Sequence, residues 1–186
     1  MPPEWFAESK EQQAFHRPRF WKAIVIKDKI KSWEEAAFLT EELRAQRARI
    51  VFTNGCFDLL HSGHTQYLEQ AKALGDILIV GLNSDASVSL LKGESRPFVA
   101  QTDRALVLAA LECVDMVVIF SQPTPLQLIE LLRPDVLVKG GDWKPEAIVG
   151  ADIVLAGGGK VLSLPFKEGY STSSLIRRIA ATEVHE

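Results

Sequence analysis

Cysteine is scarce, with two in 186 residues, Cys56 and Cys113. They lie far apart and form no metal-ligand pattern, so two free thiols in a reducing compartment are expected. No apolar run approaches the about 18–20 residues needed to cross a bilayer. The N-terminus, Met1-Pro2-Pro3-Glu4, lacks the basic-then-apolar pattern of an export signal. A cytoplasmic location without a membrane partner is the expectation. Neither sign of charge dominates: 21 Lys and Arg stand against 24 Asp and Glu, for a net charge of -3. That gives no broad basic face for nucleic acid. Two phosphate-binding sequences are also missing, the Gly-x-x-x-x-Gly-Lys-Ser/Thr loop and the Gly-x-Gly-x-x-Gly fingerprint. A phosphate ligand would need a local site of another kind. There is no internal repeat and no low-complexity tract.

What is present is an ordinary globular composition, 47% hydrophobic and 24% charged. The length suits one domain with a real core, taken as residues 31–186, preceded by an extension over residues 1–30. Trp5, Phe6, Phe15, Phe20 and Trp21 make that extension too aromatic for a solvated tail. Packing on its own domain or on a second subunit is expected. Ala23-Ile24-Val25-Ile26 could be a short strand. Ser32 and Glu35 form a capping box for a helix reaching about Gln46.

Apolar runs of strand length follow at 49–53, 76–82, 115–120, 135–139 and 160–164, separated by helical patterns. Helices are expected from His61-Ser62-Gly63-His64 with Ser62 as N-cap, over 102–112, from Thr124 with Pro125 at N1, over part of 146–156, and from Ser171 onward with Leu175, Ile176 and Ile179 inward. Residues 91–97 read as a mobile surface loop. Strands apolar on both faces and alternating with helices predict a parallel sheet covered on both sides, with ligands at the carboxyl ends of the strands. Those ends carry Asn54 to Asp58 with His61 and His64, then Asn83 and Asp85, then Lys139 to Trp143, and finally Ser171 to Ser173.

The centre of this arrangement is Thr53-Asn54-Gly55-Cys56-Phe57-Asp58-Leu59-Leu60-His61-Ser62-Gly63-His64. A strand, a glycine-containing loop and a helix N-terminus succeed one another. Free amides and the positive end of the helix dipole suit an anion, above all a phosphate. Two histidines around a glycine at that turn are poorly explained by packing or capping. Zinc is the competing reading, but no third ligand lies nearby in sequence. Imidazoles here would donate hydrogen bonds to a phosphate oxygen and to charge developing on it.

The pattern Thr53-x-Gly55-x-Phe57-Asp58-x-x-His61-x-Gly63-His64 resembles that of the nucleotidyltransferase superfamily, which includes the cytidylyltransferases and pantetheine-phosphate adenylyltransferase. Four further stretches resemble one subfamily: Asn83 to Ser87, Leu91-Lys92-Gly93-Glu94-Ser95-Arg96-Pro97, Val138-Lys139-Gly140-Gly141-Asp142-Trp143, and Glu168-Gly169-Tyr170-Ser171-Thr172-Ser173. That subfamily is the D-glycero-β-D-manno-heptose 1-phosphate adenylyltransferases, and the resemblance covers about residues 31–180. It implies a Rossmann-like, doubly wound parallel five-stranded sheet with helices on both faces. It also implies transfer of AMP from ATP, with Mg2+, to the heptose 1-phosphate, for lipopolysaccharide core or another heptose glycan. A homodimer or higher homo-oligomer is expected. Many relatives are fused to a sugar kinase, for which this length has no room, so the phosphorylated heptose is expected from a separate enzyme.

The same resemblance implies roles residue by residue. His61, His64 and Lys92 match the catalytic positions, the histidines at the α-phosphate and Lys92 on a loop that closes over the phosphates. The backbone of Asn54, Gly55, Cys56 and Phe57 matches the wall along the nucleotide, and Thr53, Asp58, Gly63, Asn83 and Asp85 are counted with them as nucleotide-binding positions. Arg104 matches a helix arginine near the phosphates, with a surface ion pair as its ordinary alternative. Asp58 could instead hold the loop through backbone N–H groups. Lys139, Gly141 and Asp142 match a loop near base and ribose, where Trp143 could stack or simply pack. Ser171, Thr172 and Ser173 match a helix N-terminus that meets the β- and γ-phosphates, with ordinary capping as the alternative. No protein ligand of Mg2+ is identified. Relatives that use CTP carry Arg-Thr where this chain has Phe166-Lys167, which weighs against two alternatives less than against one: it disfavours a cytidylyltransferase acting on a small alcohol phosphate such as glycerol 3-phosphate, and leaves a non-catalytic nucleotide-binding module to be judged on the completeness of the site.

Overall fold

The computed structural model describes residues 25–141, 143–165 and 172–182. Asp142, Ser171, Phe166, Lys167 and the Glu168-Gly169-Tyr170 stretch lie outside the described residues, as does the aromatic segment 1–24.

Six parallel strands form one sheet: β1 (Ile30–Lys31), β2 (Ile50–Gly55), β3 (Ile77–Asn83), β4 (Met116–Phe120), β5 (Val136–Gly140) and β6 (Lys160–Leu164). Their order is β1-β4-β3-β2-β5-β6. The five strands read from the sequence are all present, and the count is corrected to six. The additional strand is two residues long, too short to leave an alternation pattern. Ile30 and Lys31 pair with Val117 and Val118 at the β4 edge. Just before it, Ile26–Lys29 is a 3-10 turn rather than the strand expected around Val25 and Ile26. Lys29 donates from Nζ to the carbonyls of Leu111 and Val114, so this turn is tied to the domain.

Helices cover both faces: α1 (Trp33–Ala45), α2 (Ser62–Lys72), α3 (Asp85–Lys92), α4 (Gln101–Ala110), α5 (Leu126–Leu132), α6 (Ala151–Ala156) and α7 (Thr172–Thr182). Alternation along each strand divides the core. Ile50 and Phe52 point into one half with Leu128, Ile129, Leu132 and Val154 from α5 and α6. Val51 points into the other with Leu68, Ala71, Leu108 and Ala109 from α2 and α4. The capping box on α1 forms as expected, Ser32 Oγ accepting from Glu35 N and Glu35 accepting from Ser32 N. Trp33 Nε1 donates to the carbonyl of Ile119, 2.9 Å away, and ties this helix to the sheet.

Four local expectations are corrected. The stretch around Leu91 and Lys92 is the last turn of α3, capped by the Ser84 side chain, which accepts from Ser87 N; serine before an acidic residue offered that signal. His61, not Ser62, is the N-cap of α2, and Pro125, not Thr124, that of α5. Ile179 is more than half exposed and does not face inward. The helix expected over part of 146–156 is present as the short α6, after a 3-10 turn at Pro145–Ala147.

From β2 the chain steps to β3 and β4 on one side, then returns across the sheet to β5 and β6 on the other. The switch point therefore falls between β2 and β5, where an open parallel sheet leaves a crevice at the carboxyl ends of its strands.

Candidate active site

At the end of β2 the backbone turns sharply. Phe57 takes a φ of 44°, which folds its ring back under Gly55; a Cβ there would lie 2.9 Å from Phe57 Cε2. Only glycine fits, and the ring so placed meets His64 edge-on at a centroid separation of 5.4 Å. His61 and His64 then stack, with centroids 3.9 Å apart and planes at 26°. The His61 side chain makes no cap hydrogen bond, so its imidazole is not spent on the helix end. His64 Nδ1 is buried without a hydrogen-bond partner among the described residues.

Stacked rings at the positive end of a helix repel a second proton. Burial lowers the pKa of His61. Burial, then the charges of His61 and Lys92, push His64 down to about 4. Both rings are neutral near pH 7 and can donate a hydrogen bond to an anion. The positive charge of Lys92, at the end of α3, is the smallest of these three contributions.

Across the switch point, Lys139 Nζ donates to Asn54 Oδ1 at 3.2 Å. This pair joins the ends of β5 and β2, and burial lowers the lysine's pKa. Gly141 continues from β5 with a φ of 111°, its amide bonded to the Leu164 carbonyl. Trp143 is 52% exposed; its amide donates to Ser163 Oγ. Thr172 Oγ1 lies 3.5 Å from the Leu59 carbonyl, which brings the start of α7 beside the loop after β2. Ser173 continues α7 in the first turn.

Several expected residues act on protein rather than facing the crevice. Thr53 is fully buried and shares a 2.6 Å hydrogen bond with Tyr67, whose hydroxyl burial pushes up to about 12. Asn83 donates to Ser87 Oγ. Arg104 is neither a surface ion pair nor open to a ligand. Its side chain is wholly buried, and it donates to the carbonyls of Val99, Cys56 and Asn83 and to Asp85 Oδ1. A planar fork of five donors suits three carbonyls and a carboxylate. Arg104 thereby fixes the ends of β2 and β3 and draws Asp85 into the same network. Asp58 takes the backbone alternative: its Oδ1 accepts from the amides of Phe98 and Val99 at 2.8 and 3.1 Å. Sequence reasoning left Arg96 without a role, although it stands in a quoted motif; it faces Asp58 Oδ2 at 2.7 Å.

A paired-histidine turn at the switch point of a parallel sheet is an arrangement suited to a phosphate ligand. A family model described as cytidylyltransferase-like matches residues 52–178, and the chain belongs to that family. It is 54% identical over 151 residues to the bifunctional protein HldE of Pelobacter propionicus, which covers 81% of this chain and 31% of the relative. The bifunctional protein HldE of Campylobacter jejuni is 52% identical over 166 residues, 89% of this chain and 34% of the relative. The chain thus spans about a third of the length of these curated relatives. Among solved structures, a lipopolysaccharide core biosynthesis protein from Thermoplasma volcanium matches with a TM-score of 0.53 at 26% identity, over 67% of this chain and 99% of that one. Pantoate-beta-alanine ligase from Francisella tularensis shares the fold, with a TM-score of 0.56 at 15% identity over 83% and 78% of the two chains. No helix among the described residues is long and apolar enough to cross a membrane.

Proposed function

We propose that the chain transfers AMP from the magnesium complex of ATP to D-glycero-β-D-manno-heptose 1-phosphate, giving ADP-heptose and pyrophosphate. The observation that carries this reading is the neutral, stacked His61–His64 pair at the start of α2, with Lys92 nearby. Half-identity to the bifunctional HldE proteins over most of the chain, and likeness in fold to a lipopolysaccharide core biosynthesis protein, support the sugar and its destination. An oxygen of the sugar phosphate attacks the α-phosphorus in line; the bond to the bridging oxygen breaks, and its electron pair leaves on pyrophosphate. Such chemistry is mostly positioning and charge stabilisation.

In this reading His61 and His64 donate to the non-bridging α-phosphate oxygens, and the helix dipole at Ser62 and Gly63 adds to them. Lys92 balances the leaving phosphates. Asn54, Lys139, Gly141 and Asp142 flank base and ribose, and Ser171, Thr172 and Ser173 approach the β- and γ-phosphates. Arg104, Asn83 and Asp85 serve by holding the strand ends. No group of three or more His, Cys, Asp or Glu among the described residues forms a metal cage. Mg2+ enters this proposal with the substrate, as the ATP complex.

The family's other nucleotide, CTP, is the second reading, and the cytidylyltransferase-like match favours it; Phe166-Lys167 weighs against it. The test of the site is His64→Ala: loss of one preorganised donor should lower turnover by about 10²–10³-fold with an unchanged circular dichroism spectrum. Wild-type turnover in that variant would remove the proposal.

A further inference from the structure

Arg96 stands outside the residues that face a nucleotide, yet it is built into the site's frame. Its side chain is 13% exposed and that of Asp58 1% exposed. Nε lies 2.7 Å from Asp58 Oδ2 as an ion pair without hydrogen-bond alignment, while Asp58 Oδ1 is taken by the amides of Phe98 and Val99. The guanidinium also lies 4.6 Å from the centre of the Phe98 ring. On the other side, the Arg96 carbonyl accepts from Ser89 Oγ in α3. Two connections therefore meet at one residue. The backbone of Arg96 is tied to the helix that ends in Lys92, and its side chain to a carboxylate three residues before His61. At the helix end Gly93 has a φ of 96°, with open space around its missing side chain, and Lys92 is exposed.

We infer that Asp58 and Arg96 form a buried latch that holds segment 93–99 against the loop after β2, and that Arg96 is thereby a positioning residue for Lys92 in nucleotidyl transfer. The physical case rests on what each partner would lose alone. A carboxylate this buried needs its counter-charge, since removing one member of a buried pair strands the other. Without Arg96, Asp58 would draw water or rotate, and the two amides it accepts from would be released. The loop would then move relative to the histidines while α2 and the sheet stayed in place. A displacement of about 1 Å at a phosphate-binding group is worth about 10²-fold in rate. Planarity matters as well as charge, because the same guanidinium reaches a carboxylate and lies on a ring; lysine supplies only a point charge.

The lysine role rests on the function proposed above, so the test has one arm that needs no substrate. Hydrogen–deuterium exchange on the free protein should show the amides of Phe98 and Val99 protected in wild type. In Arg96→Gln they should exchange at least about tenfold faster, with peptides from β2, β3 and β4 unchanged. Arg96→Lys, the milder change if Arg96→Gln folds poorly, should fall between. Unchanged exchange at 98 and 99 would overturn the latch whatever the enzyme's substrate. The second arm is a double-mutant cycle on pyrophosphate release from ATP and the sugar phosphate. Arg96→Gln should lower kcat by about 10–10²-fold with little change in the sugar phosphate KM. Added to Lys92→Ala, it should cost almost nothing further. Full additivity would overturn the positioning role and leave Arg96 as framework only. Absence of wild-type turnover would fault the proposed reaction, and the exchange arm would still decide the latch.

Discussion

Replacing His64 by Gln should make the fold less sensitive to acid, and the size of the effect follows from the site. The ring is stacked on His61 and edged by Phe57. Burial, then the neighbouring charges of His61 and Lys92, hold its pKa at about 4, against an ordinary 6.5. Below pH 6.5 the unfolded chain takes up a proton that the folded one refuses until about pH 4. Stability is therefore complete above the upper value and falls as pH drops through the window. The full gap is worth about 3 kcal/mol, of which about 2 kcal/mol is already lost at pH 5 and almost none at pH 7. Urea unfolding followed by tryptophan fluorescence at pH 7, 6 and 5 measures it. Between pH 7 and pH 5, wild type should lose about 2 kcal/mol more than His64→Gln, since other titrating groups are common to both. Equal losses would mean that His64 titrates normally in the fold, and the neutral-donor assignment would fall with it.

Other parts of the frame make separate predictions. Arg104→Met strands the carbonyls of Val99, Cys56 and Asn83 and should destabilise by about 3 kcal/mol or more, read as a lower urea midpoint. Gly81→Ala would put a Cβ 2.7 Å from the ring of the fully buried Phe52, and a loss of about 1–3 kcal/mol is expected; an unchanged midpoint would show that the sheet yields there. Ser32→Ala removes the N-cap of α1 and should cost about 1 kcal/mol by the same assay. Trp143→Ala, at a half-exposed position, should alter stability by less than about 0.5 kcal/mol, so any rise in the KM for ATP would report contact with nucleotide.

The sheet was legible because its strands are buried on both faces and read as unbroken apolar runs, and the histidine turn because two histidines around a glycine have little use in packing. Three things were not legible. Ile30–Lys31 is too short to carry a period, and its pairing is decided by the free edge of β4. The helix ending at Lys92 was masked by the polar, glycine-bearing residues just beyond it, although Ser84 and Asp85 mark its start. The partners of Arg104 come from three separate segments, which no local pattern can join. A helix arginine beside a phosphate site and one buried beneath it look alike in sequence; only burial separates them. Asp58 and Arg96 are alike in this respect, being 38 positions apart in the chain and 2.7 Å apart in the fold.

The central claim is the reaction itself, and pyrophosphate release tests it most directly. The purified chain would be assayed with magnesium and either ATP or CTP, each with and without D-glycero-β-D-manno-heptose 1-phosphate. The account predicts release only where ATP and the β-sugar phosphate are both present. Release with CTP in place of ATP, or release indifferent to the sugar phosphate, would contradict it.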